Sequence, residues 1–253
     1  MGCGTLAGWV VDGWFQGAAY FPGAAAQDVA GWGVCGLAAV AGGWAGVWLG
    51  PWVEAYASRL DAGAPATART LWGAAAVSLR PGSERRVRDS VAAVLLGLAA
   101  GLLAAGGGFG FVPLLIGLAA LAWIDVRTGL LPDALTLPLM VAGWLLGCQD
   151  LVPAVGASVL VWVALAWVAR LYCRLRGQDG FGGGDVKCLA VLAGWLGLEA
   201  AIGILWVASL LGLFWGLGQR GGWRQPYPFG PCIALAAWAW MLIPQAMGLA
   251  VQS

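Results

Sequence analysis

The sequence predicts an all-α, polytopic membrane protein with about eight transmembrane helices, and three observations carry that prediction. Charged residues make up 10% of the 253, against roughly 25% in a soluble domain, too few to cover a water-facing surface. Several apolar runs reach the roughly 20 residues needed to cross a hydrocarbon core of about 30 Å. These runs are continuous rather than alternating. That leaves helices, which satisfy their own backbone in lipid, in place of a closed barrel.

Residues 1–32 are rich in Gly and Ala and are interrupted by Asp12, Gln16, Gln27 and Asp28. They read as a periplasmic or interfacial segment and not as a span. No Lys or Arg precedes Arg59, so this start is not a conventional cleaved signal peptide, which needs a basic beginning. The first span is expected over 33–53. A polar stretch at 57–89 follows, holding Arg59, Arg69, Arg80, Arg85, Arg86 and Arg88, and the two together form a second unit, 33–89.

The third unit, 90–253, carries seven further apolar runs at about 90–105, 109–125, 134–149, 152–172, 186–198, 200–218 and 230–249. Glycines at 106–108, Pro132-Asp133, Asp150 with Pro153, Gly180 to Gly184, Glu199 and Gly221-Gly222 separate them. The 42 glycines suit close helix contacts in lipid, and the 17 tryptophans suit membrane interfaces and the bundle interior.

Charge tests the span count. If the spans alternate in direction, the loops at 57–89, 126–133, 173–187 and 219–229 share one side. All 13 basic residues fall in those loops or at the span ends beside them. Positive charge stays cytoplasmic, which puts both termini outside.

Composition also excludes chemistry. The chain has no histidine, which removes Ser-His and Cys-His catalysis and histidine-ligated metal together. The six cysteines, Cys3, Cys35, Cys148, Cys173, Cys188 and Cys232, form no CxxC pair. They read as small apolar packing residues. A net charge of +1 gives no sign of a nucleic-acid partner; the partner the composition demands is the lipid bilayer.

Two carboxylates stand out against this background. Asp125 closes the run Leu114 to Ile124, and Asp185 follows Gly182-Gly183-Gly184 at the mouth of another. The topology puts both on the cytoplasmic side. Two carboxylates hydrolyse a peptide without further catalytic side chains. One, ionised, takes a proton from water; the other, protonated, donates to the scissile carbonyl. Like charges this close share one proton. Gly182 and Gly184 would allow unusual backbone angles and let an extended peptide approach the site.

Each residue also has a plainer reading. Asp185 sits where a helix N-cap belongs, Asp125 is placed to pair with Arg127, and Asp133 could cap the next span. Lys187 and Arg127 suit positive-inside anchors, and Glu54 suits the membrane interface.

The motif Asp125-Val126-Arg127-Thr128-Gly129-Leu130-Leu131-Pro132-Asp133 resembles the first aspartate motif of the prepilin peptidases, the type IV leader peptidases of the GxGD aspartic protease class. Gly182-Gly183-Gly184-Asp185-Val186-Lys187 resembles their second motif, and Tyr227-Pro228-Phe229-Gly230-Pro231 the PFGP element that opens their last span. The likeness is close over about 110–235.

The resemblance implies a bacterial inner-membrane enzyme that cuts the basic leader from prepilins or pseudopilins on the cytoplasmic side. Asp125 and Asp185 would be its catalytic pair, with Gly182, Gly184, Lys187 and Asp133 shaping the site. Many members bind zinc through a cysteine tetrad after the first span and methylate the new amino terminus with S-adenosylmethionine. Here 57–89 has no cysteine, so zinc is not expected, and the sequence does not show which groups would hold the methyl donor. The competing reading is an ion- or proton-coupled transporter, which would place its carboxylates near the bilayer midplane.

Overall fold

A computed structural model describes residues 29–78, 87–105, 108–147, 149–177, 182–218 and 228–252. The segment 1–28 lies outside the described residues, as do Arg80, Arg85, Arg86, Cys148, Gly180 and Tyr227. The described chain is helical: α1 (Val29–Asp61), α2 (Ala68–Ser78), α3 (Val87–Ala105), a 3-10 turn (Phe109–Phe111), α4 (Val112–Thr128), α5 (Asp133–Leu146), α6 (Leu151–Arg176), α7 (Gly183–Leu196), α8 (Leu198–Gly218) and α9 (Gly230–Gln252). Each of the eight expected spans has its helix, and the protein is an all-α, multi-pass membrane protein.

Among the described residues, four helical stretches are long and apolar enough to cross a bilayer by themselves: Gly33–Asp61, Phe109–Thr128, Leu151–Arg176 and Leu198–Gly218. Helices α5 and α7 have 14 residues each, about 21 Å at 1.5 Å per residue, well short of the hydrocarbon thickness. They pack on one another, and α7 also packs on α6 and α8. From Cys188 to Leu196 every residue of α7 is buried. Its Trp195 indole N–H donates to the Leu139 carbonyl at 2.7 Å, and Gly143 leaves room for the ring.

Small residues fix the first helix pair. Gly42, Gly46 and Gly50 recur every fourth position on α1, and a Cβ on each would run into Leu96, Ala93 and Asp89 of α3. Lipid supplies no hydrophobic drive between helices, so this close backbone approach and its dispersion contacts hold the pair. On another face of α1, Trp44, Trp48 and Trp52 stack in sequence, with ring centroids 6.1 and 5.3 Å apart. The column continues onto Trp72 of α2, 6.1 Å from Trp52. Leu37, Val40, Val94, Leu98, Trp167 and Phe214 face outward, as a lipid-facing surface requires.

The described first part of the polar stretch, 57–78, is largely helical. Helix α1 runs on to Asp61, the chain turns at Gly63 with φ 83°, and α2 folds back. Trp52 Nε1 donates to the Leu71 carbonyl at 3.0 Å and Arg59 Nη1 to the Thr70 carbonyl at 3.3 Å. The break between α7 and α8 falls at Gly197, not at Glu199; its φ of 94° and ψ of 170° suit glycine alone.

Candidate active site

Asp125 lies in the last turn of α4. That helix does not end at Asp125 but continues to Thr128. Gly129 then closes it in the left-handed conformation, its N–H donating to the Asp125 carbonyl at 2.8 Å. The Asp125 side chain is 5% exposed. Its Oδ2 accepts a 2.8 Å hydrogen bond from the backbone N–H of Gly230, the first residue of α9. Pro231 follows at a position where a helix start loses no bond to proline.

Asp185 is the third residue of α7. The N-cap is Gly182, so the capping reading of Asp185 does not hold. The side chain instead folds back over Gly182, with Oδ2 close to where a Cβ on that glycine would stand. Asp185 is half-buried, and its Oδ1 is buried without a protein hydrogen-bond partner. Asp125 and Asp185 are near enough to interact electrostatically, and both act on the buried thiols of Cys188 and Cys232. Helix α9 packs against both α4 and α7 and brings their ends together.

The two carboxylates are held alike. A Cβ on Gly182 would stand 2.8 Å from Asp185 Oδ2, and one on Gly230 would stand 2.8 Å from Asp125 Oδ2. In each case a glycine at a helix start leaves space for the carboxylate, and at Asp125 that glycine also donates its main-chain N–H.

Gly182 has φ −64° and ψ 134°, angles open to any residue, and Gly183 and Gly184 are helical. The expected unusual backbone is therefore absent among these three. Gly184 does not open a path for a peptide either. Its missing side chain is replaced by Leu131, whose Cβ would lie 2.9 Å from an added methyl. Glycine here lets α7 sit against the 130–132 connection.

The other charged residues find partners in the chain itself. Asp133 begins α5 and makes no capping hydrogen bond, the N-cap being Pro132. Its two oxygens take Lys187 Nζ at 2.6 and 2.8 Å, which ties the start of α5 to the start of α7. Arg127 pairs with Glu54 of α1 at 2.6 Å and not with Asp125, which accounts for Glu54. Beside these pairs lies an open groove of about 650 Å³ lined by Tyr56, Trp72, Leu130, Leu131, Asp133 and Leu137 among others.

The arrangement places two carboxylates from separate helices at the end of the bundle that carries Arg59, Arg127, Arg174, Arg176 and Lys187. Among the described residues no cluster of three or more His, Cys, Asp or Glu is placed to hold a metal ion. Sequence reasoning named both aspartates but missed Gly230 as the donor to Asp125. The available signal was a Phe-Gly-Pro helix start, where glycine exposes an unsatisfied first-turn N–H.

Residues 112–217 match the type IV leader peptidase family, a stretch that contains Asp125, Asp133, Asp185 and Lys187. A "Prepilin leader peptidase/N-methyltransferase" of Xanthomonas campestris pv. campestris is 40% identical over 140 residues, covering 52% of this chain and 48% of that protein. One of Aeromonas hydrophila is 40% identical over 136 residues, 49% of this chain and 46% of that protein. One of Burkholderia pseudomallei (strain 1026b) is 39% identical over 157 residues, 55% and 51%. The chain spans about half the length of the curated relatives it matches. No solved structure matches it.

Proposed function

We propose that the chain is a leader peptidase of the bacterial inner membrane, cleaving prepilins or pseudopilins at its cytoplasmic face through Asp125 and Asp185. The observation that supports this most is the paired construction of the site. Two carboxylates from different helices lie within electrostatic reach, each set against a glycine at a helix start. The family match runs through both of them. Residues 90–253 form the peptidase domain in this reading, preceded by the first span and the polar unit, 33–89.

A water held between the carboxylates loses a proton to the ionised one as its oxygen attacks the scissile carbonyl. The protonated one donates to the carbonyl oxygen and the proton taken up later passes to the leaving amine. Lys187 keeps Asp133 engaged and Arg127 keeps Glu54 engaged, so these two acids add little to the dyad's attraction for a basic leader. A transporter is disfavoured because both aspartates lie two residues from a basic side chain, Arg127 and Lys187, which marks a membrane surface, whereas a transport site is expected near the midplane.

The family's zinc tetrad has no counterpart, since 57–89 contains no cysteine, and nothing in the peptidase step calls for a metal. The relatives' names include N-methyltransferase. In the groove beside the site the lining carboxylate, Asp133, is already paired with Lys187. These residues offer no unengaged acid for the cationic groups of S-adenosylmethionine, and no methyl-transfer step follows from them.

The test is cleavage of a prepilin in membranes, comparing the wild type with Asp125→Asn and Asp185→Asn. Each variant is expected to insert normally and to lose roughly 10²–10⁴-fold in rate, the contribution of a positioned acid or base. Near-normal cleavage by either variant removes that aspartate from the mechanism.

A further inference from the structure

The two aspartates are held by similar glycines but are not equivalent. Asp125 is 5% exposed, and its Oδ2 is fixed by the Gly230 N–H at 2.8 Å. Gly230 stands at the very start of a 23-residue helix, where its N–H has no intrahelical acceptor to compete for it; the helix dipole does not separate the two carboxylates, since Asp185 stands in the first turn of α7. Asp185 Oδ2 lies over Gly182, and its Oδ1 is buried with no protein partner. A charged oxygen in that position is costly; a protonated one is a donor awaiting an acceptor.

We infer that Gly230 is a positioning residue that fixes Asp125 as the ionised, water-activating carboxylate, leaving Asp185 as the partner that carries the proton to the scissile carbonyl. This rests on the peptidase reading. The balance is simple. Water gives its proton to Asp125 as its oxygen bonds to the carbonyl carbon, and the Asp185 proton moves to the carbonyl oxygen. Collapse of that intermediate breaks the C–N bond, with the proton on Asp125 passing to the departing amine.

The surroundings of Asp125 are compatible with this assignment. Cys232 on α9 and both Cys188 and Asp185 on α7 are titratable groups within electrostatic reach of it. On the other elements packed around α4, Glu54 of α1 is engaged by Arg127 and Asp133 of α5 by Lys187. Asp89 of α3 lies against Gly50 of α1. Tyr56 of α1 is buried and neutral at ordinary pH.

The decisive experiment is the pH dependence of kcat and KM for wild type, Gly230→Ala and Gly182→Ala on one prepilin substrate. The limbs of the wild-type profile belong to the coupled pair, so the assignment comes from which glycine moves which limb. In Gly230→Ala the new Cβ, 2.8 Å from Oδ2, displaces the carboxylate from its N–H. Loss of one charge-assisted hydrogen bond moves the acidic limb of kcat upward by about one pH unit. KM should stay within about threefold, since ground-state binding is untouched.

Gly182→Ala should move the basic limb and leave the acidic limb in place. An acidic limb that moves with Gly182→Ala and stays with Gly230→Ala reverses the roles and overturns the inference. So does a profile that neither variant shifts.

A thermal cycle tests the contact without relying on activity. Gly230→Ala should lower the melting temperature in the wild-type background and lose most of that effect in Asp125→Ala, where Oδ2 and Cγ are gone. An equal loss in both backgrounds means Gly230 acts through something other than Asp125. Absence of any wild-type cleavage would instead defeat the peptidase reading, and the role assignment with it, whatever the thermal cycle shows.

Discussion

Placing a methyl at Gly184 tests the idea that the second aspartate is positioned by helix-to-loop packing. The added Cβ would meet Leu131 Cβ at 2.9 Å, Cδ1 at 3.2 Å and Cγ at 3.6 Å. The first separation is one that real Cβ atoms essentially never show, so the start of α7 or the 130–132 connection must shift. Overpacking of this kind costs about 1–3 kcal/mol. Asp185 follows Gly184 directly in the first turn of α7, so it moves with the helix start.

A displacement near 1 Å at a reacting group lowers a rate by about 10²-fold. Gly184→Ala should therefore insert, melt at a lower temperature in detergent, and cleave a prepilin in liposomes about 10–100-fold more slowly. Leu131→Gly removes all three opposing atoms. In the Leu131→Gly background, adding Gly184→Ala should therefore cost little further stability and little further rate. Full activity of Gly184→Ala, or an identical rate penalty with and without Leu131, would refute the packing argument.

Further outcomes follow from neighbouring contacts. Lys187 and Asp133 have side chains 38% and 56% exposed, so a double-mutant cycle of Lys187→Met and Asp133→Asn should return under about 1 kcal/mol of coupling that fades with salt. Gly197→Ala forces a left-handed backbone at φ 94° on a Cβ residue and should cost about 1–3 kcal/mol in detergent unfolding, without altering the pH profile of cleavage. Gly46→Leu should part α1 from α3, because a Cβ at that position already runs into Ala93 backbone; crosslinking between cysteines placed on the two helices should weaken. A strong chelator should leave cleavage unchanged, and restoration of lost activity by zinc would count against a reaction carried by two carboxylates alone.

Much of the fold was legible because lipid simplifies the code. With no water to satisfy a broken backbone, long apolar runs must become helices, and all eight spans read from the sequence have one. Span lengths were less legible. Helices α5 and α7 fall short of a bilayer because their neighbours, and not lipid alone, set how much of each is enclosed. The extra helix α2 could not be read from a segment rich in arginine; it is held by Trp52 and Arg59 reaching its backbone carbonyls, contacts between residues more than ten positions apart.

For the site, the sequence by itself determined the inventory of groups: no histidine, no cysteine tetrad, and two aspartates at the ends of separate apolar runs on the charge-rich side. Residue type and the positive-inside bias suffice for that, because both are properties of the linear chain. Only the tertiary structure decided what holds those aspartates. Gly230 lies 105 positions from Asp125 and reaches it because α9 packs between α4 and α7. Leu131 meets Gly184, Lys187 meets Asp133, and Arg127 turns to Glu54 instead of Asp125. Hydrogen bonds and close contacts act over about 3 Å, and which groups come that close is fixed by how the helices cross, not by their order along the chain.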